Sequence, residues 1–180
     1  MSRTIKFAQA GGPEVLEFIE MQVPAPGPHE VRIAVKAIGI NRAESMWRND
    51  KYIEPVKFPA GLGYEAAGIV DAVGKDVTDF AVGDAVSTIP AFSLNQYFTY
   101  GEVILAPEHA VVKHPEWLSF VEAASVWMMF ITAYGAHLRR SSEGGRLLHH
   151  SSSFKQRRLG GGSNRQLCRC EPHRADTHFG

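Results

Sequence analysis

Tyr64 and Glu65 stand side by side in the run Gly61 to Gly74, G-L-G-Y-E-A-A-G-I-V-D-A-V-G. Its four glycines mark places where the backbone turns with positive φ or passes close to other atoms. A carboxylate in so confined a stretch can take a proton or can hold neighbouring groups in position, and the orienting role is the one expected of Glu65. Asn41 opens Asn41-Arg42-Ala43-Glu44, an N-cap residue type with a glutamate completing the capping box. Thr132, inside an apolar helical run, is expected to be a buried hydroxyl bonded back to the preceding turn. His109 and His114 invite a metal reading, but Pro107 and Pro115 bracket a strand-like run and no cysteine or carboxylate pair completes a site. Cys168-x-Cys170-x-x-His173-x4-His178 has weak C-x-C spacing and nothing apolar around it, so no metal is expected there either.

These residues need elements to carry them. Thr4 to Ala10 and Val15 to Gln22 read as two short strands around Gly11-Gly12-Pro13. Three prolines keep Val23 to Pro28 out of a sheet interior, after which Glu30 to Ile40 resumes as a strand with Val31, Ile33 and Val35 on one face. Asn41 to Asn49 is a capped short helix, Asp50 to Phe58 is a loop bearing Tyr52, and Gly83-Asp84 is a turn between apolar runs. Ser119 and Glu122 form a second capping box, starting one helix that continues through Ala136. That helix is apolar almost all round, which predicts full burial against something large.

The chain has 180 residues and a formal net charge of zero, which hides an asymmetry. Residues 1–138 carry 10 basic and 16 acidic side chains, whereas 139–180 carry 9 basic and 3 acidic. From Arg139 onward there is no Val, Ile, Met, Trp or Tyr, a composition that cannot bury much apolar surface and predicts disorder. No stretch has the length and apolarity of a signal peptide or of a membrane span, so a cytoplasmic location is expected. Both cysteines, Cys168 and Cys170, lie in the last part, which leaves the body without disulfides.

Several ordered motifs carry a resemblance: P-x-P-G-P-x-E-V-x-I-x-V-K-A-x-G-I-N at Pro24 to Asn41, G-Y-E-x-x-G at Gly63 to Gly68, and F-x-V-G-D-x-V at Phe80 to Val86. Over roughly Ile5 to Ala136 the chain resembles the medium-chain dehydrogenase/reductase superfamily, in its zinc-independent quinone reductase and alcohol dehydrogenase-like branch. The resemblance implies a mostly β fold with short helices: a GroES-like domain over 1–118, a connecting helix over 119–138, and 139–180 as an out-of-frame tail, with the Rossmann domain truncated and not formed. It also implies strands at Phe92 to Tyr100 and Ala106 to Pro115. Tyr64 takes the place of a zinc-binding His, and Asn41 that of a zinc-binding Cys near the nicotinamide. By the same resemblance Tyr52 is expected to reach toward the substrate cleft, although an aromatic on a loop more often serves packing, and Thr132 is expected to lie by the cofactor. In intact relatives NADPH would exchange hydride with a quinone, enone, carbonyl or alcohol. Tyr64, Tyr52 and Asn41 would then donate hydrogen bonds to the charged substrate oxygen. Family members are often homodimers through the domain expected to be missing.

A dinucleotide site needs a strand, a glycine turn and a helix, and neither a strand before Gly160-Gly161-Gly162 nor an apolar helix after it can be read. Read one nucleotide later with permissible codons, His149 onward becomes I-T-A-A-A-S-S-S-V-G-L-A-A, then V-G-A-N-P-I-A-L-T-R-T-S, a strand, small-residue turn, helix and second strand. A frameshift near Leu148 is therefore expected, with little or no catalysis by this chain and no cofactor bound. The alternatives are a partner-binding remnant without catalysis, or a polyanion or nucleic-acid binder acting through the basic tail, for which stacking aromatics are few.

Overall fold

The structure, a computed structural model, describes residues 1–142. Its body is mostly β, as the sequence patterns require. Strands β1 (Ser2–Phe7) and β2 (Glu17–Met21) pair antiparallel, Ser2 opposite Met21, and β1 also pairs with the short β4 (Ala60–Gly61). The second sheet has the order β7-β3-β5-β6-β8, formed by β3 (Glu30–Gly39), β5 (Glu65–Val73), β6 (Ala85–Thr88), β7 (Val103–Pro107) and β8 (Val111–Lys113). Alternation along β3 places Val31 and Ile33 in a core with Ala66, Val70, Val86, Ile104, Ala106 and Val111. A second core gathers Phe7, Trp47, Ala60, Leu62, Tyr64, Leu94 and Tyr100 around helix α1 (Arg42–Arg48).

Three expectations are corrected by the described residues. Phe92 to Tyr100 is not a strand, because Gln96 and Tyr97 turn their amides onto Ser93 O at 3.0 Å, while Thr99 and Tyr100 bond to Leu62 O at 2.9 Å. The single run from Ala106 to Pro115 is broken by a 3-10 turn at Glu108–Ala110, and the two strands it separates lie on opposite edges of the sheet. The single helix from Ser119 is two: α2 (Phe120–Ala123), capped by Ser119 and Glu122 as expected, and α3 (Trp127–Ser142). The hydroxyl of Ser125 bonds back to Glu122 O at 2.9 Å, and the amides of Trp127 and Met128 turn away to a side chain of β5 instead of continuing the helix.

Nor is α3 fully buried. Met129 and Phe130 are 56% and 62% exposed. The readings for the glycine run Gly160 to Gly162, the cysteine–histidine cluster, the frameshift and most of the basic tail fall outside the described residues. Among the described residues no helix is long and apolar enough to cross a membrane.

Candidate functional site

The end of β3, the start of α1 and the start of β5 converge on Asn41, Tyr64 and Glu65. Gly63 enters β5 with φ of +101°, and Glu65 follows with a side chain only 1% exposed. Its Oε1 accepts from Trp127 N at 2.7 Å and Met128 N at 2.9 Å, so it caps α3. Its Oε2 accepts from Asn41 Nδ2 at 2.7 Å. A carboxylate with three donors of this kind is an orienting group, in agreement with its expected role.

Asn41 is the N-cap residue of α1 in a capping-box arrangement with Glu44, and the Asn41 amide N–H donates to Glu44 Oε2 at 2.7 Å. Glu44 Oε1 also accepts from Tyr64 N at 3.3 Å. Burial pushes the Glu44 carboxyl up, opposed by these backbone hydrogen bonds. Sequence reasoning recognised Glu44 as a capping residue but gave no signal that it reaches across to Tyr64.

Tyr64 is 4% exposed and lies in a row of aromatic rings. Its ring centroid is 6.1 Å from that of Tyr52 and 5.5 Å from that of Phe92, which in turn is 6.0 Å from Tyr97. Burial first, and the neighbouring Tyr52 second, push the Tyr64 hydroxyl well above the usual tyrosine range. A phenol held protonated in this way can donate a hydrogen bond to a developing oxyanion.

Glu54, which the sequence does not single out, holds the loop that carries Tyr52. Its carboxylate accepts from Ser93 Oγ at 2.8 Å, Leu94 N at 3.2 Å and Asn95 Nδ2 at 3.1 Å, tying that loop to the one carrying Phe92. These partners lie 39 to 41 residues away, beyond any local pattern.

The structure thus brings Asn41 to Glu65 and Tyr52 to Tyr64, while Thr132 is engaged elsewhere. The Thr132 hydroxyl donates to Met128 O at 2.6 Å, the back-bond expected of it, but on an exposed side chain rather than a buried one. His109 Nε2 donates to Ala91 O (3.2 Å), and His114 pairs with Ser87 Oγ (3.0 Å) and packs edge-on against Phe120. Among the described residues no group of three or more His, Cys, Asp or Glu side chains could hold a metal ion.

Two buried tyrosines, Tyr64 and Tyr100, and the half-buried Tyr97 make alkaline pH a probe of this region. Tyr97, whose hydroxyl donates to Glu30 Oε1 at 2.7 Å, is pushed up to about 12 by burial and then by Glu30, and Tyr100 is likewise raised by burial. An unfolded tyrosine ionises near 10.0, so these groups bind more protons in the folded chain above that pH. Their contribution to stability is complete below pH 10.0 and disappears as pH rises through the folded values. Tyrosinate absorbance is expected to rise together with loss of the native circular dichroism signal. If all tyrosines ionise near pH 10.0 with that signal intact, the three are not shielded from water as described.

The family described as the alcohol dehydrogenase GroES-like domain matches residues 27–116. The chain is 41% identical over 132 residues to a quinone oxidoreductase of Pseudomonas aeruginosa, covering 73% of this chain and 39% of that protein. It is 35% identical over 156 residues to the quinone oxidoreductase of Homo sapiens, covering 85% of this chain and 46% of that one. The Escherichia coli quinone oxidoreductase complexed with NADPH superposes with a TM-score of 0.67 at 35% identity, over 78% of this chain and 41% of that chain. The human synaptic vesicle membrane protein VAT-1 homolog-like protein superposes with a TM-score of 0.70 at 33% identity, over 78% and 43%. The chain therefore spans less than half the length of these relatives.

Proposed function

The chain belongs to the alcohol dehydrogenase GroES-like domain family, in the quinone oxidoreductase branch of the medium-chain dehydrogenases/reductases, and from that premise we propose that it is the substrate-side part of a zinc-independent, NADPH-dependent cytoplasmic reductase of quinones, enones or carbonyls. The observation that carries this reading is the buried Tyr64, a protonated phenol set against Tyr52 and Phe92 beside the Asn41–Glu65 pair. A phenol and an amide are hydrogen-bond donors and not zinc ligands, so Tyr64, Tyr52 and Asn41 would stabilise negative charge on the substrate oxygen in place of a metal.

A bound nicotinamide supplies or accepts the hydride in this chemistry. Asn41 and Thr132 are the residues proposed to lie at its edge. The described residues do not fit the phosphates of a dinucleotide, which need free N–H groups at a helix N-terminus. At α3 that end is already filled by the Glu65 carboxylate. On this reading the chain alone neither retains NADPH nor turns over. A second reading, a partner-binding domain without catalysis, draws on the exposed Met129 and Phe130 at the start of α3.

The test joins residues 1–132 to the nucleotide-binding half of a relative. The chimera is expected to reduce a quinone with NADPH, without stoichiometric zinc, and Tyr64→Phe to lower kcat about 100-fold or more. Bound zinc at one per chain would refute the metal-free chemistry. A folded, NADPH-binding chimera with no quinone turnover would favour the partner-binding reading. The 180-residue chain itself is expected to show no saturable NADPH binding, and micromolar binding would overturn its proposed inactivity.

A further inference from the structure

We infer that Glu65 is a positioning residue that couples the first turn of α3 to the side-chain amide of Asn41. The two oxygens of this one planar carboxylate serve different elements: Oε1 takes both α3 amides and Oε2 takes Asn41 Nδ2. A displacement of the first turn that keeps its hydrogen bonds must turn the carboxylate, and turning the carboxylate carries the amide with it.

The surroundings leave little slack to absorb such a movement. Gly39, at the end of β3, has its hydrogen face against Ala124 O and the Glu65 side chain, with no room even for a methyl group. Ala67, Ala123 and Ala124 form a buried cluster at the same junction, and alanines have no side-chain rotamers with which to yield. The joint is also favoured electrically, since the helix N-terminus presents partial positive charge to the carboxyl oxygen that its amides bind. Asn41 in turn begins α1, so its amide is held from both sides, by Glu65 and by the capping arrangement with Glu44. The position of α3 therefore sets the direction in which the remaining Asn41 N–H points.

The coupling is read by nuclear magnetic resonance on the isotope-labelled full chain, using the backbone amides of Trp127 and Met128 and the side-chain amide of Asn41. It involves no turnover, so its outcome is separate from that of the reductase reading. Asn41→Ala is expected to shift the Trp127 and Met128 resonances, although no hydrogen bond joins either residue to Asn41 directly. Glu65→Ala is expected to lower exchange protection of those two amides by about 10- to 100-fold and to shift the Asn41 side-chain amide signals. Where Glu65→Ala does not fold, Glu65→Gln decides, because an amide retains an acceptor for one element and presents a donor to the other; both sets of signals should then move, one through the lost hydrogen bond and the other through the coupling. A Glu65 that merely supports the fold would lower stability in its own variants without Asn41→Ala moving the helix amides. Trp127 and Met128 resonances unchanged in Asn41→Ala, or either set of signals unchanged in Glu65→Gln, would overturn the coupling.

Discussion

Gly63→Ala is expected to destabilise the domain by about 3–5 kcal/mol, and Gly83→Ala by only about 1–2 kcal/mol. Both glycines have nearly the same backbone conformation, φ of +101° and +99°, which an L side chain adopts only with strain. They differ in what lies beside them. At Gly83 nothing lies within 4 Å of the added methyl group, so only backbone strain is incurred. At Gly63 the methyl group would fall on Thr99 Oγ1 and the Tyr100 ring, and neither can withdraw freely. The Thr99 hydroxyl is bonded to Glu65 O at 3.2 Å, and the Tyr100 amide to Leu62 O at 2.9 Å. Urea midpoints of the two variants give the comparison, and their difference measures the collision. Equal losses would show that the loop at Thr99–Tyr100 yields easily.

Trp47→Ala should be at least as damaging. The indole is 0% exposed and belongs to the second core together with Phe7, Leu62 and Leu94. Removing it leaves a cavity worth about 3–5 kcal/mol. It also leaves Gly61 O, which the indole N–H reaches at 3.0 Å, buried without its donor, a further loss of about 1–3 kcal/mol. Small domains have about 5–15 kcal/mol of stability, so the variant should be largely unfolded under mild conditions. Trp47→Phe, which keeps a ring but not the donor, should retain most of the fold. Cooperative thermal unfolding followed by circular dichroism distinguishes them; a Trp47→Ala variant melting within a few degrees of the parent would mean that α1 is not packed as described.

The strand faces, the two capping boxes and the glycine run were legible because each depends on residues near one another in the chain. Val31 and Ile33 alternate over a single strand, Ser119 and Glu122 are three apart, and Gly63 announces its own backbone conformation. What escaped depends on distant partners. The break between α2 and α3 interrupts an apolar run without any Gly or Pro, and its cause, the Glu65 carboxylate, lies 62 residues earlier. Phe92 to Tyr100 has strand-like composition, yet Ser93 and Asn95 engage Glu54 and its loop, so this segment becomes a clamp instead of a ladder. For the site, the residue types at Asn41, Tyr52 and Tyr64 were readable, whereas the Glu54 clamp that holds the loop of Tyr52 against the one carrying Phe92 was not.

The contact between β5 and α3 also decides where this unit can be excised. Residue 116, where the shared family pattern ends, falls before the Trp127 and Met128 amides that donate to Glu65. A portable version cut there would leave the Glu65 side chain without its two α3 partners and open the buried junction that Ala123 and Ala124 close over β5. At the other end, a start at residue 27 would discard β1, whose Ile5 amide bonds to Tyr100 O at 2.9 Å. The smallest piece that could be grafted elsewhere intact therefore runs from the first strand through Met128, longer at both ends than its sequence signature.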